Sequence, residues 1–231
     1  MCTLVVAANV LPDRPLVVVA NRDESLTRAS SPPRVWPQGF FAPRDEVAGG
    51  TWLGVNAHGV FVGITNRFLG PRDATRRSRG ELVVRALELP SARAIHDAMR
   101  AIDPAAYNGF HLVYVDARDV LATVADGKTL AQLSFGRGLT IVTERSFGAA
   151  DDRPRVNRIL AAWQRVAPDR LAELLTEHDE VDPLAATCVH APAIDYGTRS
   201  AMVLERKGAR WEMQWAEGPP CTTPFVPVAV P

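Results

Sequence analysis

Lysine is almost missing from this 231-residue chain: of its 26 basic residues only Lys128 and Lys207 are lysine, and the rest are arginine. Asp and Glu also number 26, so the formal net charge is zero. No excess positive field draws such a protein to nucleic acid or to an anionic membrane surface. Arg72, Arg76, Arg77 and Arg79 do cluster, but a solvated loop accounts for them. Cysteine is scarce too. Cys2, Cys188 and Cys221 are widely spaced and odd in number, which excludes a disulfide framework and fits a reducing, cytoplasmic compartment. No apolar run approaches the ~20 residues of a membrane span, and nothing resembles a signal peptide. Gly136-Arg137-Gly138 lacks the strand and helix of a phosphate loop, so it reads as a turn and no cofactor is expected. There is no internal repeat and no linker. Residues 1–231 therefore read as one domain, with core enough to fold without staples.

What is present is strand-rich at the start. Leu4-Val5-Val6-Ala7-Ala8 is a short apolar strand that should end by Asn9, before the turn chemistry of Leu11 to Pro15. Leu16 to Ala20 is its hairpin partner. Ser30 to Gln38 is proline-rich and reads as irregular. Thr51 to Val55 and Gly59 to Thr65 form a second hairpin around Asn56-Ala57-His58-Gly59. Gly80 to Leu89 and Ser91 to Ile102 read as helices, the latter with Ser91 as N-cap. Strands return at Phe110 to Val115, Val120 to Ala125 and Leu139 to Val142. Helices are expected over Arg153 to Val166 and Pro168 to Glu177. Strands over Cys188 to His190, Ala201 to Arg206 and Trp211 to Trp215 precede an irregular tail. This order implies an α+β fold.

Two features carry chemistry. Cys2 sits at the tip of a core strand, where a thiol is either a small hydrophobe or a reactive group on a rigid scaffold. Asn21-Arg22-Asp23-Glu24 ends the second strand with four polar residues after five apolar ones. Strand alternation sends Asn21 and Asp23 to one face and Arg22 and Glu24 to the other, level with the Cys2 end of the first strand.

The chain resembles the NRDE family, that of the transport and Golgi organisation protein. The resemblance rests on Met1-Cys2 before a strand, Ala20 to Glu24, Gly49-Gly50-Thr51-Trp52-Leu53-Gly54, Ile64-Thr65-Asn66, Ser78-Arg79-Gly80-Glu81-Leu82, Tyr107-Asn108-Gly109-Phe110 and Tyr196-Gly197-Thr198-Arg199. These motifs run in order to about residue 200, and together they are specific. The family in turn looks like the N-terminal-nucleophile hydrolases of the bile-salt hydrolase and penicillin acylase branch. That likeness implies a four-layer αββα sandwich and removal of Met1, leaving Cys2 as nucleophile with its own α-amine as base. Such an amine titrates at about 7.7–8.0, where a general base works near neutrality. Cysteine is also the most nucleophilic side chain available there. By the same resemblance Asp23 holds the nucleophile, Asn66 donates to the oxyanion, and Arg199 favours the thiolate. Asn21, Arg22, Thr51, Trp52 and Tyr196 are the expected substrate-binding residues.

The chain departs from that branch at two points. Ala20 stands where the branch has arginine, and the nearby Arg22 should face the other way. Glu144 lies where a second oxyanion asparagine is expected, and an ionised glutamate cannot donate a hydrogen bond. The implied activity is hydrolysis or transfer of an acyl group from a non-peptide amide or thioester. The alternative is a binding or trafficking protein on the same scaffold, with haem or an acyl-CoA or lipid as ligand. Neither reading involves nucleic acid or a membrane span, and the oligomeric state is open. Cys188-Val189-His190 with Cys221 has no standard zinc spacing and lacks a fourth ligand, so no metal is assigned. His111, alternating within a strand, reads as structural.

Overall fold

The structure, a computed structural model, describes residues 2–147 and 153–231. In chain order the first strands are β1 (Cys2–Leu11), β2 (Arg14–Ser25), β3 (Ser30–Val35), β4 (Phe41–Asp45), β5 (Leu53–Val55) and β6 (Phe61–Asn66). Helices α1 (Gly80–Leu87) and α2 (Ala92–Met99) follow, then β7 (Phe110–Val115), β8 (Val120–Ala125), β9 (Leu130–Phe135) and β10 (Gly138–Val142). The last third holds α3 (Arg153–Trp163), β11 (His190–Ala191), β12 (Tyr196–Lys207), β13 (Arg210–Ala216) and β14 (Val226–Ala229). The class is α+β, with two seven-stranded antiparallel sheets. Among the described residues no helix is long and apolar enough to cross a membrane.

The chain divides into two compact units, one of Met1–Arg28 with Gly138–Val230, the other of Ala29–Arg137. In the first, the sheet order is β10-β1-β2-β12-β13-β14, with β11 on β12. Its centre is the apolar run of β1 against that of β2, where Val5 faces Val19 and Ala7 faces Val17. Those odd-numbered residues, with Ala201 and Val203 of β12, pack against Ile159 of α3 and Leu171, Leu174 and Leu175. Each valine, leucine or isoleucine among them, fully buried, contributes about 1.5–3 kcal/mol of transfer free energy.

The second unit runs β3-β4-β5-β6-β7-β8-β9. Leu82, Val83, Ala86 and Leu87 of α1, and Ala92, Ile95 and Met99 of α2, are buried in one cluster with Val62, Leu112, Tyr114 and Leu121 of the sheet. That is the helical period expected of an amphipathic face. Ser91 caps α2 as expected, accepting from the Ala94 N–H at 3.1 Å. The 56–59 turn is held by Asn56, whose Oδ1 accepts from His58 N and Val60 N.

Several boundaries differ from the sequence reading. β1 continues past Asn9 to Leu11 because Asn9 takes a left-handed φ of 55° inside a bulge, a conformation asparagine tolerates. Residues 30–35 are a strand despite Pro32 and Pro33, since β3 lies at the sheet edge and its register shifts between Ser31 and Arg34. Residues 168–177 supply only a 3-10 turn, Leu171–Leu175. The tail adds the edge strand β14, with Pro227 paired opposite Gln214. β4 and β9 carried too little alternation to be read.

Candidate active site

Antiparallel register places the site. Cys2 is directly opposite Arg22, and Arg22 is directly opposite Ser200 of β12. Residues facing each other across such a ladder project to the same side of the sheet. Cys2, Arg22 and Ser200 thus form a polar rung beside the apolar rung of Leu4, Ala20 and Met202. This corrects the expectation that Arg22 faces away: it shares the face of Cys2, while Asn21 and Asp23 take the opposite one. Arg22 is buried at 4% exposure.

Asp23 meets the nucleophile through its main chain. The Cys2 Sγ lies 4.0 Å from the Asp23 carbonyl oxygen, and the Tyr196 hydroxyl donates to that same oxygen at 2.8 Å. The Asp23 side chain is 2% exposed and accepts from the Thr198 hydroxyl at 2.6 Å. Thr198 Oγ1 in turn accepts from the Val189 N–H at 2.8 Å. Burial raises the Asp23 carboxyl to about 6, against the pull of Thr198 and of the Arg155 charge. Burial likewise pushes the Cys2 thiol up, reinforced by the Asp23 charge and opposed by the Arg22 guanidinium.

The β12 register slips between Thr198 and Ser200, so Arg199 is the extra residue of a bulge. It is half-buried, and its Nε finds no hydrogen-bond partner among the described residues. Asn21 ties the sheet to its surroundings. Its amide donates to the carbonyls of Leu175 and Thr187, pinning both segments in place. Glu144 is engaged. It forms an ion pair with the fully buried Arg155 at 3.0 Å, and Arg155 also donates to the Leu184 and Ala185 carbonyls.

The remaining candidates belong to the second unit. Asn66 ends β6 opposite Phe110, and Thr51 Oγ1 donates to the Leu53 carbonyl at 2.9 Å. The Trp52 carbonyl accepts from Ile64 N. The motifs here bind one another. A Cβ on Gly50 would lie 2.7 Å from the Gly80 carbonyl carbon, so that close approach requires glycine. Arg79 donates to the Gly109 carbonyl at 2.9 Å, and Tyr107 to Glu81. His111 is buried and bonded to Thr65, as a structural histidine should be. Thr198, Arg155 and Ser200 were missed as site residues. Thr198 lay inside a quoted motif, whereas nothing local marks Arg155 or Ser200.

A family model described as Transport and Golgi organisation 2 matches residues 1–218. The bovine Transport and Golgi organization protein 2 homolog is 27% identical over 227 residues, covering 82% of this chain and 81% of its own. The human homolog is 30% identical over 106 residues, covering 44% of this chain, and that match spans only 38% of the human protein's length. Among solved structures, a Caenorhabditis elegans N-acylethanolamine-hydrolyzing acid amidase ortholog superposes with TM-score 0.60 at 11% identity, covering 88% of this chain and 92% of that one. A variant of the conjugated bile acid hydrolase of Clostridium perfringens gives 0.58 at 8% identity, covering 98% and 92%. Penicillin V acylase from Agrobacterium tumefaciens gives 0.51 at 12%, covering 94% and 83%. The fold is that of the N-terminal-nucleophile hydrolases.

Proposed function

The chain belongs to the Transport and Golgi organisation 2 family, and from that footing we propose that it is a cysteine hydrolase or acyltransferase acting on a non-peptide amide or thioester. One observation carries the reading: a thiol at the end of a rigid core strand, on one polar rung with a buried guanidinium and a buried hydroxyl. An apolar sheet face has no packing reason to hold that rung. Met1, whose removal the mechanism needs, lies outside the described residues.

In this mechanism the Cys2 α-amine accepts the thiol proton, and the sulfur attacks the acyl carbon. The amine then protonates the leaving group, and water or a second acceptor resolves the acyl-enzyme. Arg22 offsets the burial that disfavours the thiolate. Asp23 orients the nucleophile, fixed in turn by Thr198 and Tyr196. The family likeness implies Asn66 as the oxyanion donor, and Arg199 offers its Nε to the substrate. The structural neighbours are named as an N-acylethanolamine-hydrolyzing amidase, a penicillin V acylase and a conjugated bile acid hydrolase, which sets the first substrates to try.

A second reading has its own observation. Glu144 is held by Arg155 and has no donor to give an oxyanion, which favours a binding or trafficking protein carrying haem or an acyl-CoA or lipid. A panel of acyl-amides, acyl-thioesters and haem, scored for turnover and affinity separately, decides. Turnover that disappears in Cys2→Ser supports the hydrolase. No turnover on any amide or thioester, with haem affinity that survives Asn66→Ala, ends it.

A further inference from the structure

Away from the Cys2 rung, three segments of the first unit bring four metal-ligating side chains together. His178 follows the Leu171–Leu175 turn, Cys188 and His190 straddle Val189, and Cys221 sits in the turn closed by Thr222 N and Thr223 N on the Pro219 carbonyl. Their ligand atoms all lie within 4.8 Å of one another. Cys188 Sγ is 3.6 Å from Cys221 Sγ and 3.5 Å from His190 Nε2, and His190 Nε2 is 3.2 Å from Cys221 Sγ. The His178 and His190 rings have centroids 4.9 Å apart.

We infer that His178, Cys188, His190 and Cys221 form a structural zinc site. Tetrahedral zinc with Zn–S of ~2.3 Å and Zn–N of ~2.05 Å requires S···S edges of ~3.8 Å and S···N edges of ~3.6 Å. The observed 3.6, 3.5 and 3.2 Å edges need only small adjustments. The sulfurs are not bonded to each other, since a disulfide spans ~2.05 Å and all three cysteines are free. Two thiolates and two imidazoles are a soft donor set that selects zinc over magnesium or calcium. Binding displaces the two thiol protons, and the resulting pair of thiolates neutralises the ion. Four protein ligands leave no open position, so the site serves the fold rather than the reaction.

The backbone places these ligands without help from the metal. Cys188 N donates to the Glu177 carbonyl at 2.9 Å, and Glu177 N to Thr187 Oγ1 at 3.1 Å, which closes the loop between His178 and Cys188. Val189, between two ligands, exchanges hydrogen bonds with Thr198: its N–H to the hydroxyl, its carbonyl from the Thr198 N–H. Zinc therefore clamps the segment that fixes Thr198, and Thr198 holds Asp23.

The test is metal content of the full-length protein, expressed with zinc, purified under reducing conditions and washed free of loose metal. About one zinc per chain is expected, lost in His178→Ala and in Cys221→Ser but retained in His58→Ala, a control in an exposed turn. Replacement by cobalt should give thiolate-to-cobalt charge-transfer bands and the visible bands of a tetrahedral centre. His178 is exposed, so its replacement leaves the fold in place and removes a ligand alone. Zinc content near zero in the folded wild type, content unchanged in His178→Ala, or a Cys188–Cys221 disulfide in freshly reduced protein would each overturn the inference.

Discussion

Replacing Asp23 by asparagine should stabilise the protein more at neutral pH than in weak acid. The carboxyl is 2% exposed, and its pKa is raised from 3.8 to about 6, chiefly by burial. Below about pH 3 the group is largely neutral in both the folded and the unfolded chain. Between 3.8 and about 6 the folded chain holds the proton more tightly, so stability falls as pH rises through that window and then stays level. The gap of about 2 pH units, at 1.36 kcal/mol each, amounts to about 3 kcal/mol. Asparagine keeps an oxygen for the Thr198 hydroxyl and has no charge to bury. Urea denaturation of both proteins across the window measures the difference directly. The wild type should lose about 3 kcal/mol relative to Asp23→Asn from about pH 3 to pH 7.5. A difference independent of pH, or a wild type that gains on the variant as pH rises, would refute the reasoning. The latter would mark a carboxylate stabilised by an ion pair.

Four other outcomes are expected. Glu144→Ala should destabilise by about 3–5 kcal/mol in chemical denaturation, because it strands the fully buried Arg155 charge; a loss under about 1 kcal/mol would contradict that. Asp23→Ala should change the rate of electrophile labelling at Cys2 far more than Glu24→Ala, since the buried Asp23 charge acts on the thiol while Glu24 is half-exposed and pairs with Arg28; equal rates in folded variants would undo the assignment. Asn66→Ala should cost about 2.7–4 kcal/mol in kcat/KM, expressed in kcat with KM nearly constant; a pure KM effect would make Asn66 a ground-state contact. In the zinc-loaded protein, limited alkylation mapped by peptide mass should modify Cys2 before Cys188 or Cys221; the reverse order would remove Cys2 as the reactive thiol.

Much of this architecture was legible because its signals are local. The apolar runs of β1, β2, β7 and β8 and the N-cap at Ser91 each declare themselves within about ten residues. β3 was hidden by its prolines, and β14 by a tail without alternation; both exist because a sheet edge accepted them. The site divides in the same way. Cys2 and the Asn21–Glu24 run stood out by position and polarity. Arg22's orientation did not, because alternation within β2 cannot say which residue stands opposite Cys2; only the register of the pair does. His178 was invisible for a related reason. It joins Cys188 through a loop closed by one backbone hydrogen bond, Cys188 N to Glu177 O, and no spacing rule encodes that closure.

The central claim is a nucleophilic Cys2 acting from a free N-terminus, and intact-mass measurement tests it most directly. The purified protein is weighed before and after exposure to an electrophilic acyl probe, with the modified peptide then sequenced. The account predicts a mass lower than the full sequence by one methionine, a single added acyl group, and that group on Cys2. Met1 retained, or the acyl group found on Cys188 or Cys221 with Cys2 unmodified, would contradict it.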